Sequence, residues 1–232
     1  MRDAQALWHG SPNCGARRQG ALPDMVVLHY TAMADTGAAR DWLCNPEAQV
    51  SAHYLISTDG VLIQMVSEDM RAWHAGAGRW GSVEDVNSRS IGIEITNSGA
   101  QPFSEPQMAC LEALMIRVMT RWKIAPQRVI GHSDMAPGRK QDPGRRFDWR
   151  RLAHRGLSIW PEPGAGAAPD MAQFRALATR AGYTSDVASE VLLDALRQRF
   201  RPWGFGPLAA EDMAIAADLA NRFPVDPEAY SA

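Results

Sequence analysis

The 232-residue chain has only three cysteines, Cys14, Cys44 and Cys110, and no C-x-x-C pair among them. An odd count without metal or redox spacing argues against a disulfide framework or a thiolate metal site, and free thiols fit a reducing compartment. No apolar run is long enough to cross a bilayer. The opening segment, MRDAQALWHGSPNCG, lacks the apolar stretch of a signal peptide. The expectation is a cytoplasmic protein, or a periplasmic one if a leader has been removed. An excess of charge is missing too: 24 Lys and Arg against 26 Asp and Glu leave a net charge of −2. Neither nucleic acid nor an anionic membrane is therefore expected as a partner. The densest basic group, Arg145, Arg146, Arg150 and Arg151, reads as a solvated helix face. A helical H-E-x-x-H, an internal repeat and a low-complexity tract are also absent.

What is present is the patterning of a soluble α/β protein, 46% hydrophobic and 22% charged. MVVLHY, residues 25–30, is a continuous apolar run of the kind buried on both faces of a sheet. DTGAARDWLC, 35–44, reads as a short helix, and HYLISTDGVLIQMV, 53–66, as a hairpin turning at Thr58-Asp59-Gly60. RSIGIEIT, 89–96, is a second central strand, and residues 128–130 a third. The clearest helix runs over 104–123. Ser104 suits its N-cap, Glu105 and Pro106 its first turn, and Leu111, Leu114, Met115, Val118, Met119 and Trp122 recur at helical spacing. A last short helix follows at 147–154. PEPGAGAAPD, 161–170, is a linker without core-forming residues. Beyond it come three helical patterns and no strand. Two domains follow: residues 1–163, and residues 164–232 comprising the linker and a small all-helical unit.

The chemistry-bearing residues gather at strand tips. His29 ends the first buried strand, and His132 follows the strand at 128–130. If those strands are neighbours, both imidazoles reach one crevice, where open α/β sheets bind ligands. Asp142 arrives on the loop after His132, with Pro143 and Gly144 fixing its backbone. Two imidazoles and a carboxylate make a three-ligand zinc site with a fourth position left for water, the pattern of catalytic sites. Glu94, a carboxylate in an otherwise apolar strand, is the candidate base, its pKa raised by burial unless a metal lowers it. Lys140, two residues before Asp142, could face developing negative charge. Taken singly, each has an ordinary reading: a satisfied strand-tip histidine, an ion-paired glutamate, a turn aspartate.

Five segments in order, SPNCGARRQGALPDMVVLHYTAM, SAHYLISTDGVLIQMV, RAWHAG, RSIGIEITNSG and VIGHSDMAPGRKQDPG, resemble the zinc N-acetylmuramoyl-L-alanine amidases of the type-2 family. The same superfamily includes the peptidoglycan-recognition proteins, and the likeness spans residues 11–160. It implies a mixed central β-sheet flanked by helices, with a zinc crevice on one face. It places the zinc ligands on His29, His132 and Asp142, the catalytic glutamate on Glu94 and the K-x-D-P-G lysine on Lys140. The implied reaction is hydrolysis of the amide joining N-acetylmuramic acid, plain or 1,6-anhydro, to L-alanine of the stem peptide. Glu94 handles the proton of the attacking water, and Lys140 stabilises the oxyanion. Muropeptides or intact peptidoglycan are the implied partners. Where phage-type members carry a tyrosine before the hairpin histidine, this chain has Ala52, so the proton falls to Glu94. His53 reads as structural. His74 either lines the substrate cleft or is a surface-loop residue, and Asn97 is a candidate to bond the stem peptide. The C-terminal segment resembles a three-helix peptidoglycan-binding module. Its usual Phe-Gln pair is Leu196-Arg197 here, so packing on the catalytic unit is an equal reading. Two functional alternatives stand beside the amidase: a non-catalytic muropeptide-recognition module, and a zinc amide hydrolase with another substrate.

Overall fold

The computed structural model describes residues 1–226, and its centre is a six-stranded mixed sheet. In chain order the strands are β1 (Leu7–Trp8), β2 (Cys14–Ala16), β3 (Met25–Tyr30), β4 (Tyr54–Ile56), β5 (Leu62–Gln64), β6 (Met70–Ala72), β7 (Ser90–Ile95) and β8 (Val129–Gly131). The sheet order is β1-β5-β4-β7-β3-β8, and β2 pairs with β6 in a separate antiparallel ribbon. Only the β4–β5 hairpin is antiparallel within the main sheet. The helices are α1 (Thr36–Cys44), α2 (Val86–Arg89), α3 (Glu105–Trp122), α4 (His132–Met135), α5 (Trp149–His154), α6 (Met171–Arg180), α7 (Ser189–Phe200) and α8 (Ala210–Arg222).

Side-chain alternation along the central strands sorts the core into two layers. Val26 and Leu28 of β3, Ile91, Ile93 and Ile95 of β7, and Tyr54 and Ile56 of β4 pack on one face against Met108, Leu111, Leu114, Met115 and Val118 of α3. That helix starts at a reciprocal capping box. Ser104 Oγ accepts from Gln107 N, and Gln107 Oε1 accepts from Ser104 N at 3.1 Å. The other face carries Met25 and Val27 of β3 and Ile130 of β8, which share one apolar cluster with Phe174, Leu192, Leu196, Phe200, Ile215 and Leu219 of α6, α7 and α8. The three-helix unit thus covers the sheet instead of hanging from the linker, in keeping with the packing reading. Leu196 is fully buried in this cluster, and Arg197 is ion-paired with Asp212.

The arginine group at 145–151 is not a purely solvated face. Arg145 pairs with Asp194 of α7 and donates to the Pro202 carbonyl at 3.0 Å. Arg151 pairs with Glu105 and Glu112 of α3. The three cysteines are all free. No helix among the described residues is long and apolar enough to cross a membrane.

Candidate metal centre and active site

The face of the sheet under the three-helix unit changes character along its length. On β3 it runs Met25, Val27, His29. On β7 the partner positions are Ser90, Gly92 and Glu94. Apolar residues at the start of the strands thus give way to ionisable ones at their C-terminal ends, where β8 leads directly into His132. Small residues on β7 make room behind them. A Cβ on Gly92 would lie 2.4 Å from the His74 ring, so only glycine lets that imidazole sit against the strand.

Three donor atoms converge at the strand tips. His29 Nδ1 lies 3.0 Å from His132 Nδ1, and Asp142 Oδ2 lies 2.8 Å from the first and 3.0 Å from the second. All three residues are buried and form a group able to hold a metal ion. The outer ring nitrogens settle the tautomers. His132 Nε2 is 2.8 Å from the Ala75 carbonyl, which can only accept, so in the neutral ring the proton sits on Nε2. On the other side a relay ends in a carbonyl as well. Ser90 Oγ–H donates to Val86 O at 2.5 Å, so Ser90 Oγ accepts from His74 Nε2–H at 3.1 Å. His74 Nδ1 is then the acceptor for His29 Nε2–H at 3.1 Å. Burial and the neighbouring imidazoles hold His74 well below the usual histidine range, and burial followed by the His132 charge lowers His29 to about 4. Both rings are therefore neutral at pH 7. His29 Nδ1, His132 Nδ1 and an Asp142 carboxylate oxygen then face one another across about 3 Å, an arrangement that a cation can complete.

The loop between His132 and Asp142 is built to keep its ends together. Ser133 N donates to Asp142 O at 2.9 Å, and Lys140 N to Ala136 O at 3.0 Å. Gly131, just before His132, has no room for a side chain, because a Cβ there would meet Pro143 at 2.8 Å.

The donors open into a cleft of about 400 Å³ lined by Glu94, Lys140, Asp142, His132, Trp42 and Trp73 among others. Burial, reinforced by the Asp142 charge, pushes Glu94 up to about 8, while Lys140 pulls it back down. Its Oε2 is buried without a hydrogen-bond partner, so the carboxyl is available to a ligand in the cleft. The structure therefore brings His29, His132, Asp142, Glu94, Lys140 and His74 together. His74 is not a surface-loop residue: it is 8% exposed, touches the cleft, and serves chiefly to hold His29. Asn97 is corrected. Its amide donates to the Gln101 carbonyl at 3.2 Å and accepts from Gly99 N at 2.7 Å, so it shapes the turn after β7 and does not line the cleft. His53 is structural, accepting from Gly92 N at 2.9 Å. Ser90 and the Ala75 carbonyl escaped the sequence reading, because nothing local to either position marks it as a partner of a histidine far along the chain.

Fold and site together define an α/β protein with a group of residues fit to hold a metal ion at the C-terminal ends of parallel strands. The chain belongs to the N-acetylmuramoyl-L-alanine amidase family, whose Amidase_2 model matches residues 19–145. It is 34% identical to the N-acetylmuramoyl-L-alanine amidase AmiD of Escherichia coli, over 90% of this chain and 87% of that protein. It is 42% identical to the 1,6-anhydro-N-acetylmuramyl-L-alanine amidase AmpD of Haemophilus influenzae, over 45% of this chain and 58% of that protein. Escherichia coli AmiD in complex with anhydro-N-acetylmuramic acid-L-Ala-D-gamma-Glu-L-Lys superposes with a TM-score of 0.80 at 31% identity, covering 96% of this chain and 93% of that one.

Proposed function

We propose that the chain is a zinc-dependent amidase cleaving the bond between N-acetylmuramic acid, including its 1,6-anhydro form, and L-alanine of the stem peptide. The observation that carries this reading is the shared cleft: His132 and Asp142 of the three-donor group, Glu94 with an unpartnered carboxyl oxygen, and Lys140 line one cavity, with His29 directly behind them. A nitrogen-rich donor set of two imidazoles and one carboxylate favours zinc over calcium or magnesium. The donors are 2.8–3.0 Å apart and would have to separate by a few tenths of an ångström to reach the edges of about 3.3 Å of a tetrahedron with zinc–ligand bonds near 2 Å. Bound there, zinc would polarise the amide carbonyl and acidify a water molecule.

The chain's own groups do the rest. Glu94 takes the proton of the attacking water and returns it to the alanine nitrogen as the C–N bond breaks. A carboxyl with a raised pKa is suited to both transfers, and a cation beside it keeps it ionised when it must act as base. Lys140 reaches the same cleft from the loop and offers an ammonium to the oxyanion. Ala52, fully buried, places no tyrosine hydroxyl in this role. A non-catalytic recognition module would not need an ionisable carboxyl poised beside the metal donors.

The test is incubation with soluble anhydro-muropeptide and, separately, with intact peptidoglycan sacculi, the products being read by mass spectrometry. The reading expects free anhydro-N-acetylmuramic acid and an L-alanine-terminated peptide from the soluble substrate. Release from sacculi would extend the substrate to the intact wall. Cleavage of neither would exclude the activity.

A further inference from the structure

We propose that the C-terminal three-helix unit is a working part of the metal centre: Tyr183 and Arg199 are positioning residues that set its affinity for metal, acting through Asp134. The proposal rests on the reading of His29, His132 and Asp142 as metal ligands.

Asp134 stands two residues after His132 in α4, and its carboxylate is fully buried. Oδ2 accepts from Gly131 N at 2.8 Å and from Arg199 Nη1 at 2.8 Å. Oδ1 accepts from the Tyr183 hydroxyl at 2.7 Å. One of these donors is the backbone immediately before the metal ligand, and the other two come from the three-helix unit. The Arg199 side chain is 2% exposed. Its Nη2 donates to Val129 O at 2.9 Å and to Ser158 Oγ at 3.1 Å, and its guanidinium lies 4.2 Å from the Trp149 ring centre. Arg199 thus grips both sides of the turn that carries His132: Val129 on β8 before it and Asp134 on α4 after it.

The rest of the metal loop leans on the same unit. Ser185 Oγ donates to Met135 O at 3.2 Å. Gly138, with φ of +76°, comes so close to α7 that a Cβ on it would lie 2.8 Å from Val191. The unit therefore touches the loop at Asp134, Met135 and Gly138, between its two metal ligands. A buried ion pair is a poor source of net stability, since apolar residues of similar volume often serve as well. Its geometric effect here is specific, because the pair fixes the direction in which β8 delivers His132. Groups that orient metal ligands from behind typically change affinity by about 10- to 100-fold when removed.

The experiment is a zinc-affinity titration of the full chain against a chromophoric chelator. The variants are Tyr183→Phe, which removes one hydroxyl, Arg199→Met, and Arg222→Gln as a control. Arg222 belongs to the same unit but pairs with Glu162 and Asp218, away from the loop. The proposal expects the zinc Kd to rise about 10-fold in Tyr183→Phe, with circular dichroism unchanged, and at least as much in Arg199→Met. Arg222→Gln keeps the parental Kd. Excess zinc restores kcat in Tyr183→Phe, a rescue that a merely structural defect would not show. A parental Kd in folded Tyr183→Phe overturns the proposal, even if Arg199→Met fails to fold. A parent chain that binds no zinc overturns the metal reading itself and is told apart from that outcome by the parent's own titration.

Discussion

His29 and Glu94 are partners in register on adjacent parallel strands, so both side chains leave the same face of the sheet at the same height. That relationship puts a candidate metal ligand and the Glu94 carboxyl side by side without any loop to place them. The sheet itself sets the separation between His29 and Glu94, while His132 and Asp142 come from α4 and the loop after it.

If Glu94 moves the proton, Glu94→Gln keeps the metal and the fold and loses about 10²- to 10⁴-fold in kcat. Turnover on muramoyl-L-alanine substrate, with metal content measured on the same sample, checks this. Near-parental turnover at full metal content would return Glu94 to a structural role.

Lys140 is an exposed residue on the rim of the cleft, and an exposed charge with no catalytic part contributes little. Facing the oxyanion, its ammonium acts on charge that exists only in the transition state. Lys140→Met is therefore expected to lower kcat by about 10²- to 10³-fold and to change KM little. Steady-state kinetics on a cleavable muropeptide decide it, and a parental kcat removes the lysine from the chemistry.

Replacing His74 by phenylalanine keeps a ring against Gly92 but deletes the nitrogen that accepts from His29 Nε2–H. The His29 tautomer is then no longer fixed, and zinc affinity is expected to fall about 10- to 100-fold. Chelator competition measures the loss. An unchanged affinity would mean that the relay through Ser90 and Val86 has no influence on the ligand.

Glu94 also imposes a pH dependence on the metal-free protein. Its folded pKa, about 8, is raised above the ordinary 4.5, so folding favours the protonated form. Its contribution to stability is complete below pH 4.5 and is lost as pH rises towards 8. His29 works the other way: with a folded pKa of about 4, it adds stability as pH rises to its ordinary 6.5. The two oppose each other at lower pH, and the Glu94 slope stands alone between about 6.5 and 8. There the metal-free parent is expected to lose roughly 1–2 kcal/mol relative to Glu94→Gln. Denaturant unfolding of both proteins at a series of pH values tests it, and parallel curves would contradict it.

Much of this site is legible in the sequence, because its members sit where local pattern is strongest. His29 and Glu94 interrupt apolar strand runs, while His132, Lys140 and Asp142 follow a strand in a segment stiffened by Pro and Gly. The β3, α3 and hairpin positions follow directly from periodicity and capping residues. The two- and three-residue strands β1, β2 and β6 do not, since so few residues show no alternation. Asn97, next to the Glu94 strand, looks from the sequence like a ligand group, and in the structure its amide serves the backbone of its own turn. The roles of His74 and Asp134 depend on partners from other segments, and spacing along the chain says nothing about those.

The most direct measurement is zinc content per chain, in the parent and in His132→Ala, after removal of loosely bound metal. The account predicts one zinc per parent chain and none in the variant. A parent without zinc, or a variant that keeps a full equivalent, would contradict it.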